Sequence, residues 1–462
     1  MRLSTSDFRQ RINGNCRIEF SRQAITSYSG LELLLRYLRS ISFVERTRRA
    51  FATCEVGGDF SVTESLRLLL ALIFTGGSRL DHVRFLASDP LVKRFCGLLR
   101  LPTERSLSRW LKRFRRTSVK RLKRINEDLI IENVATLSLP RITLDVDGTP
   151  ISCGKKVGWA ARGYNPHNRH AKSYYPLLTH IAQTGHFLSV TNRPGNVHDS
   201  TSALATFRTH VNQLRERIPH SFILEARFDS AFFQKEILGY LLRERIEFAM
   251  KVPLMPWLNL KPLLQERQRW HRAGKRLSYF VQEIHIKQWN LTLSMTFYRH
   301  KVADHPPKAY QYDLFSPDDG VYEYSVLVSN KKVRAKTLWE FYNGRCGIEG
   351  HLAELKQECA FGSVPTNHYG ANSAFQQISV LAYNLIRNFQ IDTGLAHDRK
   401  RSAKRTGSFS FQSLKTLRFK MIAIAGRLTH RNHERTLRLN DNPAIQELYK
   451  MIESQIPYKQ AA

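Results

Sequence analysis

The chain is 462 residues long and carries 72 Lys and Arg against 39 Asp and Glu, a formal net charge of +33. Hydrophobic residues make up 42% and aromatics 11%, enough to bury a core and exclude wholesale disorder. The longest apolar run, Leu68–Phe74, is far below the ~20 residues that span a bilayer, so no membrane partner is expected.

At ~100–200 residues per domain, this length implies several domains. Gly30–Ala52 reads as a helix with Leu and Ile at helical spacing. Ser61–Phe74 opens on the capping signal SVTE and runs apolar. Arg79–Ser88 and Leu91–Leu99 follow as short helices. In Thr103–Arg116, Leu107, Trp110, Leu111 and Phe114 form one stripe, with Arg109, Lys112, Arg113 and Arg116 opposite. Short helices ending in a basic amphipathic one fit a helix-turn-helix. An ordinary bundle helix with a solvated basic face reads the same way.

From Pro140 the period changes to two. Ile142–Asp147 places Leu144 and Val146 on one face, Asp145 and Asp147 on the other. Strands are expected at Ser173–Ala182, His186–Thr191, Ser221–Phe228 and Phe248–Val252, with helices at Asp199–Gln213 and Phe232–Arg245. Within the turn-rich segment after Thr191, Asn196, His198 and Asp199 read first as turn and cap residues, with a part in shaping the site as the alternative. The fold class is therefore α/β, a sheet with helices packed on it. Leu277–Ile286, Leu291–Tyr298 and Val321–Ser329 form a mostly β insertion, its last strand expected to return to the main sheet. Lys336–Cys359 reads as one long helix and Ala374–Asp392 as a strongly apolar one. Residues 398–438 are heavily basic, with 398–405 expected to be a solvated loop or arm. The six cysteines show neither CxxC nor His–Cys metal spacing, as expected of free thiols in a reducing cytosol.

A charge far beyond the magnitude of about 2–8 that solubility needs in a small domain points to a polyanion, and in the cytosol that is nucleic acid. Three acidic positions stand out: Asp147 and Asp229 at strand ends, and Glu349 within the long helix. Alone, each reads as a turn cap or a solvated group. Together, three such carboxylates can hold two Mg2+ ions, hard cations that prefer oxygen ligands. On a continuous helix Tyr342, Arg345, Glu349 and Lys356 share one face, because seven and fourteen residues are about two and four turns. That stripe suits a metal ligand flanked by phosphate clamps, although an Arg–Glu ion pair has the same spacing.

The sequence resembles the DDE-type transposases of bacterial insertion sequences. Within them it is similar to the insertion-sequence-four superfamily, whose third block carries a Tyr-x2-Arg-x3-Glu-x6-Lys signature. Tyr342, Arg345, Glu349 and Lys356 match it at every signature position, LDVDGT (144–149) resembles the first-aspartate block, and RFDSAFF (227–233) the second. GYNPHNRHAKSYYPLL and NRPGNVHDS also look like the thirteen-eighty group. Ala231 stands where that pattern usually has Gly, and Gly148 separates Asp147 from Thr149.

The resemblance, over about residues 60–395, implies an RNase H-like catalytic core with a β-rich insertion and a helical N-terminal DNA-binding region. The expected layout is a helical region 1–135, a core split into 136–252 and 326–395, an insertion 253–325 and a basic region 396–462. By position, Asp147, Asp229 and Glu349 would be the catalytic and metal-binding triad for Mg2+, with Mn2+ able to substitute. Of Asp145 and Asp147, the latter is the better match, leaving Asp145 a supporting or structural role. Tyr342, Arg345 and Lys356 would contact the DNA ends. The implied activity is cut-and-paste transposition of double-stranded DNA, on inverted repeats and target, by a homodimer on paired ends. A cytoplasmic, nucleoid-associated location is expected.

Overall fold

The computed structural model describes residues 16–54, 56–166, 168–305, 317–399, 408–431 and 434–456. The arm expected at 398–405 lies, from residue 400 on, outside the described residues.

Helix α1 (Val62–Phe74) begins as its sequence dictates: the Ser61 hydroxyl accepts from the Glu64 N–H, and the Glu64 carboxylate accepts from the Ser61 N–H. Two expected helices divide. Gly30–Ala52 becomes Leu31–Ser40 and Phe43–Phe51, broken where Ser42 adopts a left-handed φ of 53°. Thr103–Arg116 becomes α2 (Glu104–Lys112) and a turn, so Arg116 opens the next helix, α3 (Arg116–Thr136), instead of extending the basic face of α2. The expected stripe Leu107, Trp110, Leu111 and Phe114 is buried.

The central structure is a nine-stranded mixed sheet, which makes the chain mixed α/β as expected. Its strands are β1 (Arg141–Gly148), β2 (Leu177–Ile181), β3 (Phe187–Thr191), β4 (Ile223–Phe228), β5 (Glu247–Val252), β6 (His271–Arg272), β7 (Leu277–Ile286), β8 (Leu291–Lys301) and β9 (Tyr322–Ser329), in the order β3-β2-β1-β4-β5-β9-β8-β7-β6. Only β1–β4 and β4–β5 are parallel. Two helices, α4 (Ala203–Arg217) and α5 (Lys235–Arg243), supply the crossovers and pack Phe207, Val211, Ile237 and Leu241 on one face. Tyr322–Ser329 returns to pair antiparallel with β5, so the expected insertion continues the same sheet.

The single helix expected at Lys336–Cys359 is interrupted. It consists of α6 (Ala335–Asn343), a tight turn at Gly344–Cys346 and α7 (Gly347–Glu358). The reason is local packing. Arg227 Nη1 donates to the Phe341 carbonyl at 2.9 Å, and a Cβ on residue 344 would lie 2.4 Å from that nitrogen. Only glycine lets the guanidinium this close. The face shared by Tyr342, Arg345, Glu349 and Lys356 therefore does not follow from one continuous helical period.

The last major helix, α8 (Tyr369–Asp392), is buried nearly all round and lies between α3, the N-terminal helices and the edge strand β3. Its amides satisfy that edge. The Asn384 side chain accepts from the Phe187 N–H at 3.0 Å and donates to the Phe187 carbonyl at 3.0 Å, while Gln377 donates to the Val190 carbonyl at 2.8 Å. The free edge of the sheet is thus covered by side chains.

Candidate nucleic-acid-processing site

Parallel pairing of β1 and β4 sets Asp145 opposite Arg227. The pair is bidentate, Nε to Oδ1 at 2.6 Å and Nη2 to Oδ2 at 2.7 Å, and both side chains are buried. Burial would raise the Asp145 carboxyl, but the Arg227 charge and a His180 contact bring it below its ordinary range. A lone buried carboxylate is costly; fully paired, it fixes its surroundings.

Side chains recur on one face of a strand every second residue. Two residues beyond that pair, Asp147 and Asp229 emerge together where the strands end. Arg345 joins them: Nη2 lies 2.9 Å from Asp147 Oδ1 and 3.4 Å from Asp229 Oδ2. Each Oδ1 also accepts a backbone N–H, Gly148 on Asp147 and Ala231 on Asp229. Burial pushes the Asp147 carboxyl up to about 6; Arg345 opposes this, and the negative charges of Asp229 and Asp199 reinforce it.

Asp199 is a third carboxylate at this place, and its role is not that of a helix cap, since α4 starts only at Ala203. Its Oδ2 accepts from the Tyr175 hydroxyl at 3.1 Å, while Oδ1 is buried and accepts no hydrogen bond. A Cβ on residue 148 would lie 2.1 Å from Asp199 Oδ1 and 2.4 Å from the Tyr175 ring. Gly148 is thus what allows Asp199 to approach Asp147. Buried Arg193 holds the loop, donating to the carbonyls of Tyr175, Asp199 and Thr201. The sequence carried only a weak signal for this: an Asp in a turn-rich segment.

Of the other expected residues, Lys356 Nζ donates to the Pro150 carbonyl at 3.3 Å; burial lowers its pKa and the Asp147 charge opposes that. Tyr342 is partly buried beside the cluster, and burial raises its phenol well above the ordinary value, with Arg345 opposing and Asp229 reinforcing. Glu349 is exposed on the first turn of α7 with no hydrogen bond or ion pair among the described residues. Two residues on, His351 Nδ1 lies 2.7 Å from His180 Nε2, and His180 Nδ1 is 3.5 Å from Asp145 Oδ2. This part-buried relay ties α7 to β1 and β2. Burial lowers the pKa of both imidazoles, keeping them neutral. Arg109 and Lys112 are exposed on α2, Arg113 is exposed at its C-terminal cap, and Arg116 is exposed at the start of α3.

Among the described residues no group of three or more His, Cys, Asp or Glu side chains is arranged to hold a metal ion. The donor chemistry nonetheless fits Mg2+, which takes one or two carboxylates and leaves its other positions to water and substrate phosphates. Asp147 and Asp229 present oxygens to a single cationic nitrogen of Arg345, and that positive charge occupies the point on which both converge.

A family model described as transposase DDE domain group 1 matches residues 8–460. No curated protein matches the chain. A solved structure, the cryo-EM structure of the piggyBac transposase synaptic complex with hairpin DNA, is similar with a TM-score of 0.45 at 13% identity, covering 87% of this chain and 82% of that chain.

Proposed function

Because the chain belongs to the DDE-domain transposases, we propose that the strand-end cluster is its catalytic centre and that it moves DNA by cutting and rejoining phosphodiesters. In this reading the core is RNase H-like and the chain belongs with the insertion-sequence-four superfamily and its Tyr-Arg-Glu-Lys signature. The boundaries are those expected, a split core at 136–252 and 326–395 around an insertion at 253–325, with DNA-binding regions at 1–135 and 396–462. The observation that carries the reading is the convergence of Asp147 and Asp229, at the ends of adjacent parallel strands, on one Arg345 nitrogen.

Asp147, Asp229 and Glu349 would hold two Mg2+ or Mn2+ ions, which activate the attacking oxygen and stabilise the leaving one when bound. Glu349, exposed on the first turn of α7 four residues after Arg345, would complete the set of three carboxylates. Arg345 and Lys356 then neutralise phosphates, and Tyr342 donates to one or stacks on a base. Water is the nucleophile for cleavage, and the liberated 3′-OH is the nucleophile for joining. Neither step needs ATP: hydrolysis of a phosphodiester runs downhill, releasing a 3′-OH and a 5′-phosphate, and joining exchanges one phosphodiester for another as the target's own 3′-oxygen leaves. Arg109, Lys112, Arg113 and Arg116 add sequence-independent attraction to the duplex, and a homodimer brings two ends together.

The test is incubation of the chain with Mg2+, a supercoiled target plasmid and DNA carrying the element's ends. Liberated 3′-OH ends and joined products are expected. Glu349→Gln should bind ends and cut none. Cleavage without joining under all conditions would reduce the chain to a nuclease, and binding unaffected by metal with no cleavage would make it a DNA-binding protein only.

A further inference from the structure

Between the strands Ile151–Cys153 and Lys172–Tyr174 runs a loop rooted in the cluster at both ends. Its entry follows Pro150, whose carbonyl accepts from Lys356, and its exit leads into Tyr175, which holds Asp199. Its described residues are pinned at several points. The Gly158 N–H donates to the Asn367 carbonyl at 2.9 Å, and the Gly158 carbonyl accepts from the Tyr174 hydroxyl at 2.8 Å. Ala161 and Ser173 exchange both backbone hydrogen bonds, and a Cβ on Gly163 would overlap the Gly195 carbonyl at 1.8 Å.

On this pinned backbone Val157 and Ala160 turn inward, while Trp159 is 72% exposed in a left-handed conformation with φ 62°. A bulky residue at positive φ is a true outlier, and such outliers persist only where surrounding contacts hold them. Its ring lies tilted 37° against Tyr369 at 5.7 Å, and Tyr369 is itself anchored through its hydroxyl to the Asn192 carbonyl. Tyr164, on the same loop, is also exposed. From Gly154 to Lys172 the chain has five Lys and Arg and no Asp or Glu, and Lys155, Lys156, Arg162, Arg169 and Lys172 are all exposed.

We propose that Trp159 is a stacking platform for an unpaired DNA base, with the loop's cations tracking the strand's phosphates beside the carboxylate cluster. The chemistry is that of single-strand recognition, an aromatic face for the base and a positive surface for the backbone. A second copy of the chain fits poorly as the occupant, since it would bring another +33 toward a loop without acid. The inference rests on the reading of this chain as a protein that handles DNA.

The experiment compares binding of the full-length chain to a blunt duplex and to the same duplex with a short unpaired overhang carrying a fluorescent adenine analogue, in Ca2+ to suppress cleavage. The wild type should prefer the overhang by about tenfold, the scale of one base–aromatic stack, and quench the analogue. Trp159→Ala should lose the preference and the quenching while keeping blunt-duplex affinity and melting temperature; Trp159→Phe should restore most of both. Retained preference and quenching in Trp159→Ala would overturn the proposal, as would a change in oligomeric state with DNA preference intact. Blunt-duplex binding without any overhang preference in the wild type overturns this inference alone, whereas binding to neither DNA overturns the DNA reading as well.

Discussion

The ends of β1 and β4 and the outer face of α2 both carry dense charge, but they use it in opposite ways. At the strand ends, Asp145 is locked to Arg227, Asp147 and Asp229 share Arg345, and Asp199 rests on Tyr175. On α2 and at its C-terminal cap, Arg109, Lys112 and Arg113 have no ion pair among the described residues and face solvent. Buried charges must be paired, and a bidentate pair dictates where its neighbours sit. Solvated charges dictate little locally and act instead through the field they add. The strand-end region is therefore a device for geometry, and α2 a contribution to attraction.

The largest expected contrast is in chemistry. Asp229→Asn should lower DNA cleavage by at least about a thousandfold, the scale of losing several kcal/mol of transition-state stabilisation, whereas Arg113→Ala should leave the cleavage rate of bound DNA unchanged; single-turnover cleavage at saturating protein distinguishes them. Next comes the buried pair. Arg227→Met leaves the buried Asp145 without its guanidinium partner and should destabilise the fold by about 3–5 kcal/mol in urea unfolding, with Asp145→Leu added in the double variant recovering much of the loss. No recovery would mean that the contact to Phe341, not the ion pair, is what matters.

The pH dependence of stability tests the same region. Asp147 has its carboxyl raised from 3.8 to about 6 in the folded chain. The folded state thus holds this proton more tightly, and the stability it adds below pH 3.8 is lost as pH rises through about 6. Urea midpoints should fall across that window in the metal-free wild type, and fall less in Asp147→Asn. Mn2+ affinity should rise over the same window, because the ligand must be ionised. Gly148→Ala forces a methyl into the space of Asp199 and Tyr175 and should cost about 1–3 kcal/mol by overpacking, read as a lowered melting temperature. Smallest of all, Arg109→Ala or Lys112→Ala should change stability by no more than about 0.5 kcal/mol, yet each should flatten the salt dependence of DNA binding by about one unit of slope.

Much of this was legible in the residues. Alternation in Ile142–Asp147 marked a strand with two aspartates on one face, and the capping box at Ser61 and Glu64 marked the start of α1. The apolar stripe of α2 was evident too, because helical spacing is a local property. The break at Gly344 was visible only as a poor helix former, since its cause, Arg227, lies on a distant strand. Asp199 read as a turn residue for the same reason: nothing near it in sequence announces Tyr175 or Gly148 as neighbours. Arg116 was placed on the wrong helix because the turn after Lys112 follows no strong breaker.

Composition and local periodicity by themselves determined a basic, mixed α/β chain, with a basic face on one helix and acidic residues at strand ends. They could do so because charge is additive and because side-chain periods of two and 3.6 are written into the backbone. Only the tertiary structure decided that Asp147 and Asp229 meet at Arg345 and that Asp199 joins them. Those outcomes depend on which strands pair and in what register, and register follows from the whole set of buried faces that must close together.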